Sequence, residues 1–251
     1  AGTAGTGHLL ENTDAYETKL GSLVDLFYAK YPGARGDSLE VLAIDGAGWA
    51  IAAEPSRKAA SVTARTDGNA TTLQLQELKF LENFNGAPGT SADASNSSGS
   101  NDEMHVMVVD KQGSFTNVSG EVLEIHGFVS KAVDARRVDG SNNYVLNVLN
   151  NESRYVYAGA VAAFTAANTE DTDASTSTVG SLKSSVATFR NLTIAASTII
   201  GGHLQSGNDG ATVTGDELGA SYDLFDNADI VDVTLLMAGG SSGHSSAIST
   251  A

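Results

Sequence analysis

Residues 104–109 read Met-His-Val-Met-Val-Val, a continuous apolar run with the length of one β-strand. The run lacks the alternation of a strand with one wet face, so we predict a central strand that is covered on both faces. The turn-forming sequence 110–113 follows it, and residues 121–129 supply a partner strand for a hairpin. Residues 39–44, Leu-Glu-Val-Leu-Ala-Ile, predict a further strand.

Helical spacing is present on both sides of these strands. Asp14, with Glu17 three residues on, predicts the start of a helix whose apolar face continues to Tyr31. A short helix is predicted over 144–149. The pair Thr214 and Glu217 predicts a capping box. The strongly apolar residues 230–237 predict a strand, and 154–157 are a further candidate strand. The small and polar residues 47–76 and the apolar rhythm of 73–84 leave their type open. The alternation of predicted helices and strands along the chain predicts an α/β fold, a mixed sheet with packed helices and long polar loop insertions.

Composition excludes several classes of protein. The 251 residues carry 14 Lys and Arg against 30 Asp and Glu, a net charge of −16, so phosphate-bearing partners would be repelled and we expect no nucleic-acid binding. No run approaches the roughly 18 apolar residues of a membrane span, so no membrane insertion is expected. The chain has no cysteine, which excludes disulfides and thiolate metal sites.

One sequence pattern resembles an enzyme motif. Residues 239–243, Gly-Gly-Ser-Ser-Gly, match the Gly-x-Ser-x-Gly of a nucleophile elbow and follow a predicted strand. In that fold the acid and the histidine come after the serine, but His244 is too close in sequence to turn back onto Ser241. A strand-to-helix turn is therefore the preferred interpretation. A secreted serine hydrolase or a carbohydrate-binding domain remains the alternative function, supported also by the Asn-x-Ser/Thr matches and the polar loops.

Other candidate sites are weak. The histidines show no metal-binding spacing, and His105 and His126 could pair across the predicted hairpin, although hydrogen-bonded packing imidazoles are the preferred interpretation. The turns 207–210 and 134–143 are acidic but lack the order of a calcium loop. Phosphate-binding glycine motifs are absent. We predict no catalytic residue, no cofactor and no metal site.

Several motifs, in colinear order, resemble the tail sheath proteins of contractile-tailed bacteriophages, of the T-even-like and cyanophage-like variety. They extend from about Lys30 to Gly240, and the segments that carry them are 30–39, 100–110, 122–132, 139–153, 222–225 and 231–240. The agreement is weakest over 47–76 and 166–185. The resemblance implies that residues 1–13 are a linker from a preceding domain. It also implies that 14–251 form the central α/β sheath domain, with flexible loops at about 85–102 and 166–185.

The resemblance also implies a function. Such a chain is a non-enzymatic structural subunit that polymerises with copies of itself around the tail tube and contracts to drive the tube through the host envelope. Its further partners are the tube protein and the baseplate and tail terminator proteins, and it is found in the virion after assembly in the host cytoplasm. A surface for host binding, displayed by the polar residues 91–100, is compatible with this role.

Like-charged subunits can stack only if contacts match acidic patches with scarce cations. A predicted exposed loop contains several such charges, and we expect a subunit contact there, against the alternative of a merely solvated charged loop. Its residues are Lys131, Asp134, Arg136 and Arg137.

Overall fold

The computed structural model describes Leu10, residues 12–23, 25–159 and 198–211, and isolated positions elsewhere, namely Leu182, Phe189, Thr214, Glu217 and 219–221. The chain divides into two compact units, Ala1–Asn208 and Asp209–Ala251. In the second unit, the hydroxyl of Thr214 accepts the backbone N–H of Glu217, and the carboxylate of Glu217 accepts the backbone N–H of Thr214. The predicted capping box is therefore confirmed.

The first unit is built on a four-stranded sheet in the order β4-β3-β2-β6, and its neighbours are antiparallel throughout. The strands are β2 (Leu39–Asp45), β3 (Glu103–Asp110), β4 (Glu121–Ser130) and β6 (Ile200–His203). A separate pair joins β1 (Phe27–Ala29) to β5 (Val156–Ala158). The predicted hairpin is β3–β4, and the predicted central strand is β3, which lies between β4 and β2. The α/β class is confirmed.

The sheet has an apolar core on each face, which explains why β3 has no polar alternation. Val106 and Val108 belong to one core, together with residues of β1, β5 and the helix α6 (Val145–Glu152). Met107 and Val109 belong to the other core, which contains Phe80 of α4 (Thr72–Asn83). Side chains of successive strand residues point to opposite faces. A strand between two cores therefore has no row of solvent-facing polar side chains, and the polar residue within its apolar run, His105, is itself fully buried.

Helices occupy the segment whose type the sequence left open. They are α2 (Gly46–Ala52), α3 (Pro55–Thr66) and α4. Pro55 stands at the first turn of α3, where its missing N–H costs nothing. Thr71 and Gln74 form a capping box at the start of α4.

The predicted helix from Asp14 to Tyr31 is wrong in its second half. Helix α1 spans Thr13–Lys19, is capped by Asn12 rather than Asp14, and ends in a 3-10 turn at Leu20–Ser22. Phe27 then enters the core from strand β1. Pairing with β5 therefore prevails over the helical spacing of the apolar residues. The short helix predicted at 144–149 is confirmed as α6.

Candidate functional site

The predicted contact segment begins with a lysine that is not on the surface. The side chain of Lys131 is only 1% exposed, and its ammonium lies 3.4 Å from a carboxylate oxygen of Asp45. Burial lowers the pKa of Lys131, whereas the charges of Asp45 and Asp102 raise it. The prediction that Lys131 lies in an exposed loop is therefore wrong. A cation can be buried here because carboxylates accompany it.

Asp45 has a second role at the end of β2. One of its carboxylate oxygens accepts the backbone N–H of Gly48 at 3.1 Å, so Asp45 caps helix α2. The other oxygen faces Lys131, which follows the last residue of β4. This buried ion pair therefore connects the start of α2 to the end of the β3–β4 hairpin.

Asp102 forms a second buried centre next to this ion pair. Its carboxylate accepts the backbone N–H and the hydroxyl of Ser91, both at 2.8 Å, and the hydroxyl of Ser130 at 2.5 Å. Its carbonyl accepts the backbone N–H of Lys131. Charge-assisted hydrogen bonds of this kind are stronger than neutral ones. Asp102 therefore holds three chain segments together.

The segment 85–102 differs from the predicted solvated loop. It contains a short helix, α5 (Ala92–Asn96), whose first turn is capped by the Ser91 hydroxyl. Ala94 and Asp102 are fully buried. The sequence is poor in large apolar residues, but the buried carboxylate of Asp102 orders the segment through hydrogen bonds instead. The second predicted loop, 166–185, lies outside the described residues except for Leu182.

The other three predicted contact residues lie at or near the surface. Asp134 is half-buried, and its carboxylate accepts the backbone N–H of Leu182 at 2.7 Å. Arg137 is partly exposed and forms an ion pair with Glu152 at 2.8 Å. Arg136 is exposed, and its guanidinium donates to the carbonyl of Gly140 at 2.9 Å. The structure therefore separates buried Lys131 from the exposed arginines.

The histidines of the β3–β4 hairpin do not pair with each other. His105 is fully buried and stacks on Phe84, with ring centroids 4.1 Å apart. Its Nδ1 accepts the backbone N–H of Phe128, so Nε2 carries the proton and donates to the carbonyl of Gly86. Burial lowers the pKa of His105, although the backbone hydrogen bond to Gly86 opposes this. The preferred interpretation of a hydrogen-bonded packing imidazole is confirmed for His105.

His126 belongs to a cluster that superficially resembles a catalytic triad. Its Nε2 lies 3.4 Å from a carboxylate oxygen of Glu124, and the hydroxyl of Ser153 donates to the same oxygen at 2.6 Å. In a triad the imidazole stands between the hydroxyl and the acid, and it takes the proton from the nucleophile. Here the carboxylate stands in the middle. The Ser153 oxygen also accepts the backbone N–H groups of Tyr155 and Val156, so this arrangement orders the turn after α6.

A small cleft of about 260 Å³ lies between the Asp45–Ala47 turn and the segment Pro88–Gly89, with Asn101 and Glu103 on its wall. Burial raises the pKa of Glu103, although the backbone N–H of Gly89 donates to its carboxylate and opposes the rise. Clefts that enclose an organic ligand usually measure roughly 300–1,000 Å³. The volume of this cleft lies just below that range.

The motif with Ser241, together with His244 and the predicted strand 230–237, lies outside the described residues. Within the part that the structure describes, histidine and acidic side chains form no group of three that could hold a metal ion. None of the helices in the described ranges is long and apolar enough to cross a membrane. Comparisons with protein-family models and with curated proteins give no match for this chain.

Proposed function

We propose that this chain is a structural subunit of a contractile phage tail sheath. The observation that carries the proposal is the colinear resemblance from about Lys30 to Gly240. Under this proposal the chain polymerises with its own copies around a tail tube, and it meets baseplate and terminator proteins at the ends. It acts in the virion after assembly in the host cytoplasm.

The way the buried carboxylates are used supports a structural role. Asp45 caps a helix and faces Lys131, Asp102 joins three segments, and both carboxylate oxygens of Glu77 accept hydrogen bonds from the guanidinium of Arg57. Asp110 is fully buried and orders the loop after β3. Each of these carboxylates binds hydrogen-bond donors or a cation from another part of the chain, and the contact holds the two segments together. Fixed geometry of this kind suits a subunit that changes partners without unfolding.

The resemblance also involves residues with clear structural roles. Its segments include β3, most of β4, Asp102 and Lys131, and also Tyr144 and Ser153, all of which are buried or pack in the sheet. A sheath subunit must remain folded while its contacts with neighbours slide. A sheet with cores on both faces, clamped at its ends by buried polar centres, supplies the required rigidity.

The experiment is electron microscopy of the purified full chain over a range of protein and salt concentrations. We expect hollow tubes or stacked rings, because a heterologous contact repeated along an axis builds an open assembly. An esterase assay of the wild-type chain and Ser241→Ala runs beside it. If only single particles are seen at every concentration, and if Ser241→Ala abolishes an esterase activity of the wild type, the sheath proposal is contradicted and the hydrolase alternative is favoured.

A further inference from the structure

The loop of residues 136–142, called here the apex loop, is held in one shape by a dense set of hydrogen bonds. At its base, the backbone N–H of Arg136 donates to the carboxylate of Asp93 at 2.9 Å. The backbone N–H of Arg137 donates to the carbonyl of Ser141, also at 2.9 Å. The carboxylate of Asp139 accepts both the N–H and the hydroxyl of Ser141. The loop is therefore ordered before it meets any partner.

Two further contacts attach the apex loop to the body of the domain. The guanidinium of Arg137 binds Glu152 of α6 through both carboxylate oxygens, at 2.8 and 3.2 Å, and its Nε donates to Asn143 at 3.2 Å. The amide of Asn143 donates in turn to the carbonyl of Phe128 at the end of β4. Arg137 is thus engaged in positioning the loop. The guanidinium of Arg136 takes no part in these contacts with Glu152 and Asn143.

The apex of this ordered loop is an apolar residue. Val138 is fully exposed, the most exposed of the large hydrophobic residues that the structure describes. A β-branched side chain has few rotamers, so little entropy is lost when it is fixed in a contact. Single exposed apolar residues are common on protein surfaces. Here, however, the valine stands at the tip of a loop whose backbone is already ordered.

Arg136 supplies a charge beside this apex. Its guanidinium donates to the carbonyl of Gly140, and the ion pairs among the described residues use other cations. The chain carries 30 acidic and 14 basic side chains. The surface of another copy of this chain is therefore rich in carboxylates, which suit a planar guanidinium.

We propose that the apex loop is a docking knob for a second copy of this chain. Val138 contacts an apolar spot on that copy, and Arg136 pairs with a carboxylate at its rim. This inference rests on the proposed function only where it expects the contact to be repeated along a sheath. The contact itself requires only that two copies associate. Arg137, tied to Glu152, positions the knob.

The first test compares two apex variants, Arg136→Glu and Val138→Asp, with two matched controls. Lys58→Glu makes the same change of charge on the exposed face of α3, and Val118→Asp makes the same change in another exposed turn. We expect self-association, measured by sedimentation velocity, to weaken about tenfold or more in each apex variant and to stay at the wild-type value in the controls. Thermal unfolding of all four proteins checks that they fold.

The second test uses the absence of cysteine from the chain. Val138→Cys provides a single thiol, to which a photoactivated crosslinker is attached in the purified protein. We expect crosslinks between copies, to a peptide of the second copy that bears exposed Asp or Glu. Crosslinks only within one copy, or none, would overturn the proposal.

The outcomes separate this inference from the proposed function. If tubes form equally well from wild type and from both apex variants, the proposed sheath function stands and the proposed contact of the apex loop is refuted. Small oligomers that never form tubes, but that the apex variants abolish, would support the knob and contradict the sheath. A wild-type chain that stays monomeric at every concentration would overturn both.

Discussion

The buried ion pair gives the sharpest prediction of stability. Replacing Lys131 with methionine keeps most of the side-chain volume but leaves the carboxylate of Asp45 without its buried cation. Both side chains are at most 2% exposed, so water cannot take the place of the ammonium. Removal of one member of a buried pair costs roughly 3–5 kcal/mol. The separation of 3.4 Å is long for an ion pair, so we expect about 3 kcal/mol.

The double variant Lys131→Met with Asp45→Asn, compared with the two single variants, isolates the interaction between the two side chains from the effect of each substitution alone. Asparagine retains an oxygen that can cap α2, and it removes the carboxylate charge that faces position 131, so that only the charge of Asp102 remains near the methionine. We expect the double variant to lose less than about 2 kcal/mol, less than the sum of the two single losses. The coupling energy between the two sites is the quantity of interest.

Urea unfolding at neutral pH measures these losses, and the fluorescence of the single tryptophan, Trp49 in α2, reports on the helix that Asp45 caps. Lys58→Met is the matched control, because Lys58 is exposed on α3 and surface changes of this kind usually stay within about 0.5 kcal/mol. A loss below about 1 kcal/mol for Lys131→Met, or single losses that simply add, would refute the reasoning about the pair.

Two further predictions concern polar groups. Burial raises the pKa of Asp110, but hydrogen bonds from Ser38, Phe115 and Thr116 outweigh it and lower the pKa from 3.8 to about 2. Its stabilising contribution is complete above the unfolded value and is lost as the pH falls through about 2. A lowering of the pKa from 3.8 to about 2 corresponds to roughly 2–3 kcal/mol at most for this buried carboxylate. Acid titrations of wild type and Asp110→Asn should differ by up to that amount, and equal acid profiles would contradict the assignment. Among the described residues, the buried hydroxyl of Tyr144 finds no hydrogen-bond partner. Tyr144→Phe should therefore leave thermal stability unchanged or raise it by up to about 2 kcal/mol, and a clear loss would show that the hydroxyl has a partner.

The parts of the fold that the sequence predicts are those with strong local signals. The apolar run of β3, the partner strand β4 and the short helix α6 all follow from hydrophobic patterns. The helices α3 and α4 were missed although Pro55 and the pair Thr71 and Gln74 are signals for helix starts. Most of their exposed residues are polar, with Val62 and Leu75 among the exceptions, and the hydrophobic pattern alone does not separate such helices from loops.

The candidate site shows what local patterns cannot predict. The neighbours of Lys131 in sequence give no sign that it is buried, because its partner Asp45 lies 86 residues away. Asp102 and Ser91 come from a segment whose composition predicts a solvated loop. Charged residues are almost never fully buried unless they are paired. The pairing is a property of the folded chain, and so the sequence analysis placed Lys131 on the surface.

The position of β6 has a consequence for how the chain is made. Strand β2 ends at Asp45, and β6, which hydrogen-bonds to one of its edges, begins at Ile200. A ribosome that adds roughly 5–20 residues per second needs on the order of 10–30 s to cover that distance. During this time one edge of β2 has no strand beside it from this chain. Closure of the sheet at this edge must wait until β6 has been made, so this step depends on slow long-range pairing, whereas the β3–β4 hairpin joins neighbouring segments.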